Sequence, residues 1–216
     1  MVKPIYINII CLFLVLVITL YIVQKMVNKY TYEKGKKINK VTIPDIIHTN
    51  FPKINNLDVV SDNFIKVIIF IFAVVFLLNG QYKYIIFFVL LLILGNFICF
   101  IYFVSTTLPD SSKICKYSED TFKAIYNMGS CNNVGISGHF INTMFILGLF
   151  YRFYGPKYWI LYIVTYIITF FLICVSRSHY TIDCITSTFV GLFIIYEFNN
   201  IQKGINFIIG KNFFDL

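Results

Sequence analysis

Long apolar runs dominate this chain, and they leave it one solvent in which to fold. Six can be read, at about residues 5–24, 64–79, 84–104, 139–154, 158–175 and 180–198. A hydrocarbon layer about 30 Å thick is crossed by about 20 apolar residues in a helix. Lipid offers no hydrogen bonds, so each run must satisfy its own backbone, and the helix does this. The expected fold class is therefore all-α, an integral membrane bundle of six transmembrane helices. Composition agrees: 58% of residues are hydrophobic and 13% are charged, about half the charged share of a soluble domain. The second and fourth runs are the shortest. Asn79-Gly80-Gln81 reads as a tight turn, and Gly155-Pro156-Lys157 as a break. The first run is too long for a signal-peptide core and has no clear cleavage site, which predicts an uncleaved anchor. Three regions follow: an anchor helix and basic loop over 1–42, a transmembrane domain over 43–198, and a short interfacial or disordered tail over 199–216.

The net charge of +8 has little soluble surface on which to build a nucleic-acid groove. Lysine-rich loops beside anionic headgroups account for it; the bilayer is the expected partner, and nucleic acid is not. Cys11, Cys99, Cys174 and Cys184 fall in or beside apolar runs and read as small hydrophobes. Cys115 and Cys131 share one polar loop and could pair in an oxidising compartment. No spacing points to a metal site or a cofactor.

Ionisable groups near lipid are costly, and two of the chain's three histidines open predicted spans. His139 follows Ser137-Gly138, and His179 begins His179-Tyr180-Thr181-Ile182-Asp183. Two crossings separate them, so the chain returns both to one face at similar depth. On a helix Asp183 would share a face with His179, accept its ring N–H and fix its tautomer. The other ring nitrogen would then be a nucleophile, with His139 as acid and base. Two helix N-termini at that level suit a phosphate. Either histidine alone is more simply a cap or a headgroup-level packing residue; the pair with its aspartate favours phosphoryl-type transfer without a metal.

These residues resemble the sphingomyelin synthase family, a branch of the type 2 phosphatidic acid phosphatase superfamily, over about residues 43–191. Ile43-Pro44-Asp45 is similar to the family's first motif, and Tyr102–Pro109 to the end of the second. Cys131 to His139 is similar to the third, and His179 to Asp183 to the fourth. The resemblance implies catalytic His139, His179 and Asp183, with Ser137, Gly138, Tyr180 and Asp45 at the substrate. It implies transfer of phosphocholine or phosphoethanolamine from a glycerophospholipid donor to ceramide through a phosphohistidine, releasing diacylglycerol, with no cofactor.

The chain departs from the family at Asn132-Asn133, where a Gly-Asp pair is expected, and it lacks the second motif's arginine. One rival reading is a lipid phosphatase or phospholipase C-like hydrolase with the same triad. The phosphatases hold a phosphomonoester with an Arg-Pro motif and an arginine ahead of the nucleophile. Arg-Pro is absent here, and Arg177 stands only two residues before His179, which favours a singly charged diester. The other rival is a non-catalytic multi-pass protein. Asp110, Glu119 and Asp120 read as solvated loop charges, His48 as structural, Glu197 as interfacial, and Tyr158 and Trp159 as interface anchors. Lysine and arginine counts put the histidine face in the cytosol. The family implies the lumenal or exoplasmic face of the Golgi, endoplasmic reticulum or plasma membrane, and Cys115 with Cys131 fits that side. Oligomeric state is open.

Overall fold

The computed structural model describes residues 4–38, 43–109 and 134–209, and all regular structure among them is helical. In chain order the helices are α1 (Pro4–Ile38), α2 (Ile46–Asn50), α3 (Leu57–Leu78), α4 (Tyr82–Ser105), α5 (Gly138–Tyr154), α6 (Trp159–Val175), α7 (Thr181–Tyr196) and α8 (Phe198–Ile209). A 3-10 turn, Gly155–Tyr158, joins α5 to α6.

Four stretches are long and apolar enough to cross a membrane, or five if the bent pair α7–α8 counts as one. The expected six are thus met in part, and length is the reason. Helices α5 and α6 have 17 residues each and α7 has 16, about 25 Å of rise. The stretch Gly138–Val175 passes as one unit, yet it doubles back. Phe140 in α5 meets Tyr166 and Phe170 in α6 edge-on, and Tyr162 donates to the carbonyls of Phe150 and Gly155. It is a helical hairpin. Its outer face exposes Ile160, Leu161, Ile163, Val164, Ile167 and Ile168, and α7 exposes Phe189, Leu192 and Phe193. So broad an apolar surface belongs in lipid.

Helix α1 runs past the expected end at residue 24 to Ile38. Its lysines end the hydropathy signal but not the helix, because Val27 and Thr31 are buried on the side that packs on α4, and Tyr30 donates to the Val104 carbonyl. The turn after α3 fits its residues. Gly80 takes φ 65°, Gln81 N–H reaches the Phe76 carbonyl and Gly80 N–H the Leu77 carbonyl. That is the glycine-dependent helix end known as a Schellman motif. The tail expected to be interfacial or disordered holds α8, bent 61° from α7. Arg152 fixes the bend by donating to Asn199 and the Ile195 carbonyl while lying over the Phe198 ring.

Helices α5 and α7 approach closely at small residues, as lipid-embedded helices do. A Cβ on Gly191 would fall 2.5 Å from Cβ of Met144, and one on Gly148 would fall 2.5 Å from Ile195. At one end of the bundle the core is aromatic, with Phe72, Phe76, Phe88, Phe150 and Phe153 in mutual ring contact. At the other end the starts of α3, α5 and α7 meet, and there the interior turns polar.

Candidate active site

The N-terminus of α5 is set by Ser137, whose Oγ accepts the Phe140 N–H at 3.2 Å. This cap places His139 in the first turn. Ser137 is itself tied to α7: its N–H donates to Ser187 Oγ at 2.8 Å, and that hydroxyl donates on to the Asp183 carbonyl at 2.7 Å. The start of α5 is therefore fastened to the second turn of α7.

His179 Nδ1 lies 3.1 Å from Asp183 Oδ2. The contact was expected, but it arises differently. His179 is not helical; it lies in a bend just ahead of the helix, and extended Tyr180 is the N-cap of α7. Asp183 occupies the third helical position and reaches back to the Tyr180 N–H at 3.1 Å, the carboxylate half of a capping box. Its other oxygen accepts the Gly135 N–H at 2.9 Å. Asp183 is fully buried, and a buried carboxylate needs such donors. With Nδ1 held, Nε2 of His179 is left for chemistry.

The rings of His139 and His179 face each other at 6.4 Å between centroids, inclined at 62°. Bonds from Asp45 and His48, at the start of α2, hold the His179 side of this pair in place. Asp45 Oδ2 accepts the Thr181 N–H at 2.7 Å, and Oδ1 accepts the Thr181 hydroxyl at 2.8 Å and the N–H groups of Ile47 and His48. One carboxylate thus caps α2 and the start of α7 together. Burial pushes the Asp45 carboxyl up, but the hydrogen bonds from His48 and Thr181 outweigh it and hold the group below the usual carboxylate range. His48 donates from Nε2 to the His179 carbonyl at 3.2 Å and lies beside the Tyr180 ring. Burial holds its pKa below the ordinary value; Asp45 opposes this and Arg177 adds to it. Arg177, at φ 58°, donates to the carbonyls of His48 and Phe51.

Every expected residue of the set lies at this end of the bundle: His139, His179, Asp183, Ser137, Gly138, Tyr180 and Asp45. Two expectations change in detail. The N-terminus of α7 is not open to an anion, because Asp45 already sits on it. Asp45 in turn gives both oxygens to the chain's own donors, and the Tyr180 hydroxyl donates to the Pro109 carbonyl. Residues Asp110, Cys115, Glu119, Asp120, Cys131, Asn132 and Asn133 lie outside the described residues.

Asp62 escaped the sequence reading. Its Oδ1 stands 3.3 Å from Nε2 of His139, on the first turns of α3. Its signal was an acid beside an apolar run, lost when the run was started at residue 64. Further along α3, α5 and α6 an apolar cavity of about 360 Å³ is lined by Ile68, Val75, Ile146, Phe150, Leu161 and Thr165.

Residues 130–200 match the family model described as PAP2 superfamily C-terminal. The match supports that superfamily for the third of the chain that carries both histidines and Asp183. No curated protein and no solved structure matches the chain.

Proposed function

We propose that this chain is an integral membrane phosphotransferase that moves a phospho-headgroup from a glycerophospholipid to ceramide. The observation that carries the reading is the held histidine: Nδ1 of His179 on buried Asp183, with the ring facing His139. The family match over residues 130–200 supports a phosphatase or phosphotransferase acting on lipid. The motifs around Asp45, Pro109, His139 and His179 favour the sphingomyelin synthase-like branch of it.

In this reading Nε2 of His179 attacks phosphorus and the P–O bond to the glycerol breaks. The departing alkoxide takes a proton from His139 and leaves as diacylglycerol. The ceramide hydroxyl then gives its proton to His139 and attacks the phosphohistidine, and the P–N bond breaks. Asp183 keeps Nε2 aimed at phosphorus and offsets the charge that develops on the ring. Helices α1, α3, α4, α5, α6 and α7 cross the bilayer and α8 lies at its surface. The apolar cavity along α3, α5 and α6 offers room for an acyl chain. The histidine end faces the lumen or the cell exterior.

A hydrolase using the same three groups is the second reading, because the family match reaches the superfamily and not the branch. Arg177 speaks against a phosphomonoesterase. A doubly charged monoester calls for arginine forks, and this guanidinium donates to two backbone carbonyls.

The test is expression in cells that lack sphingomyelin synthesis, fed fluorescent ceramide, with His179→Ala alongside. A new phosphosphingolipid absent from the variant is expected, and its mobility identifies the headgroup. Diacylglycerol release that ignores ceramide would make the protein a hydrolase. Lipid profiles identical in both strains would sink both enzymatic readings.

A further inference from the structure

The apolar cavity of about 360 Å³ between α3, α5 and α6 has the size of pockets that take small organic ligands, about 300–1,000 Å³. Helix geometry sets its place relative to the histidines. Ile146 and Phe150 line it, and they follow His139 at close to two and three whole turns, so all three share one face of α5. The cavity begins about 10 Å along the helix axis from His139, at Ile146, and ends about 22 Å from it, at Tyr154. Its rim includes Ile71 and Leu161, both exposed, so a chain enters sideways from lipid without threading the bundle. At the far end the rings of Tyr154 and Tyr158 meet edge-on, 5.5 Å between centroids. Tyr162 is fastened there too, its hydroxyl donating to the Phe150 and Gly155 carbonyls. These rings make a floor.

We propose that this cavity receives the distal half of one acyl chain of the glycerophospholipid donor, and that Tyr154 and Tyr158 set an upper limit on its length. The inference rests on the reading of the two histidines as the place where phosphorus sits. An extended chain advances about 1.2 Å per bond. A donor held at the histidines therefore meets the cavity at about its eighth carbon and the tyrosine floor at about its eighteenth. The occupant is the donor because its phosphorus must be held at His179 before any acceptor arrives, a step that transfer and hydrolysis share. A chain moving from lipid into an apolar cavity gains little hydrophobic free energy. The cavity therefore acts by shape: it sorts chains by length and leaves the chemistry at the histidines alone.

The experiment varies donor chain length with the purified full-length protein in detergent micelles. Phosphatidylcholine and phosphatidylethanolamine are each supplied with six-carbon, eighteen-carbon or twenty-two-carbon chains, one short-chain ceramide serves as acceptor, and diacylglycerol release is followed. Leu147→Trp fills the cavity from α5. It is expected to lower kcat/KM for the eighteen-carbon donor by about fivefold or more and to leave the six-carbon donor, too short to reach the cavity, within about twofold of the parent. Tyr158→Ala lowers the floor and is expected to raise the twenty-two-carbon donor against the eighteen-carbon one by about threefold. General damage to the fold does not produce these opposite shifts. If Leu147→Trp aggregates, Thr165→Phe fills the cavity from α6, with the same losses expected. Equal losses on six-carbon and eighteen-carbon donors, or none on either, would overturn the acyl site. A defect that follows the chain length of ceramide, with the donor fixed at six carbons, would overturn the assignment to the donor. Both results would leave the wider reading standing wherever the parent releases diacylglycerol and His179→Ala does not. A folded parent protein inactive on every donor would overturn the wider reading, and the acyl site with it.

Discussion

The two histidine corners are built to different standards. Around His179 the chain is over-determined: Asp183 takes two backbone N–H donors besides the ring, Asp45 ties α2 to Thr181, and His48 holds the His179 carbonyl. Around His139 there is a helix cap, a tie through Ser187 and one carboxylate from a neighbouring helix. A nucleophile must point at phosphorus along one line, so a rigid mount serves it. A group that hands a proton to one oxygen and takes it from another works over a range of positions, and a looser mount suffices. The contrast fits the proposed division of labour, with His179 as nucleophile and His139 as proton carrier.

Removing the charge behind His179 breaks the contrast most directly. Asp183→Asn is expected to lower turnover about a thousandfold, by loosening the tautomer and the ring that develops charge. The measurement is headgroup transfer at saturating donor, with thermal unfolding in detergent as the fold control. A loss no larger than that of Asp62→Asn would mean that the rigid corner is not the nucleophile's.

Next in size is the latch. Asp45→Ala removes the cap of α2 and two bonds to Thr181, an expected loss of about 2 kcal/mol of stability. Melting in detergent reads the stability. Activity is expected to fall with it, because the approach to His179 is set by the same bonds. A variant that melts lower but turns over normally would show that the latch stabilises the fold without aiming the nucleophile. That outcome would also leave room for Asp45 as a substrate group.

A smaller effect tests the spacing between the corners. Gly191 lets α7 lie against Met144 of α5, and an added Cβ would fall 2.5 Å from that side chain. Gly191→Ala is expected to cost about 1 kcal/mol as α5 and α7 move apart by a few tenths of an ångström. Because His139 rides on α5 and His179 precedes α7, turnover is expected to drop more than melting does. Equal, minor changes in both would mean that the 6.4 Å between the rings tolerates adjustment.

Much of this end of the molecule was legible in the sequence, and for a physical reason. His139, His179 and Asp183 are ionisable residues at the edges of apolar runs, where composition makes them conspicuous, and parity of crossings put them on one face. The turn at Gly80 and the break at Gly155 announced themselves through residues that tolerate positive φ. Asp62 was hidden because hydropathy places span ends poorly: α3 begins at Leu57, so a residue assigned to a loop sits two turns into a helix. The same bluntness ended α1 too early, since Thr31 and Val27 face α4 under a helix surface carrying lysines. The bond between His179 and Asp183 was expected from a shared helix face and arises from a cap instead. The spacing of four residues serves both geometries, and sequence alone does not separate them. The count of spans depended on α5, α6 and α7, which are each shorter than the length a crossing usually takes.

The smallest effect expected is also the one that separates the corners by pH. Burial holds His48 below its ordinary pKa, so the folded chain binds its proton less readily than the unfolded chain does. Stability from this group is complete above about pH 6.5 and is lost as the pH falls through the lower, folded value. Asp45, depressed by its hydrogen bonds, follows the same sign further down. Its contribution is complete above about pH 4 and disappears as the pH falls through its own folded value. Both losses weaken the clamp on Thr181 and the His179 carbonyl. Melting temperature in detergent is therefore expected to decline modestly between about pH 7 and about pH 5, and His48→Gln is expected to flatten that segment while keeping a donor for the carbonyl. A decline of the same size in His48→Gln would place the titrating group elsewhere and sink the role of His48 in the clamp.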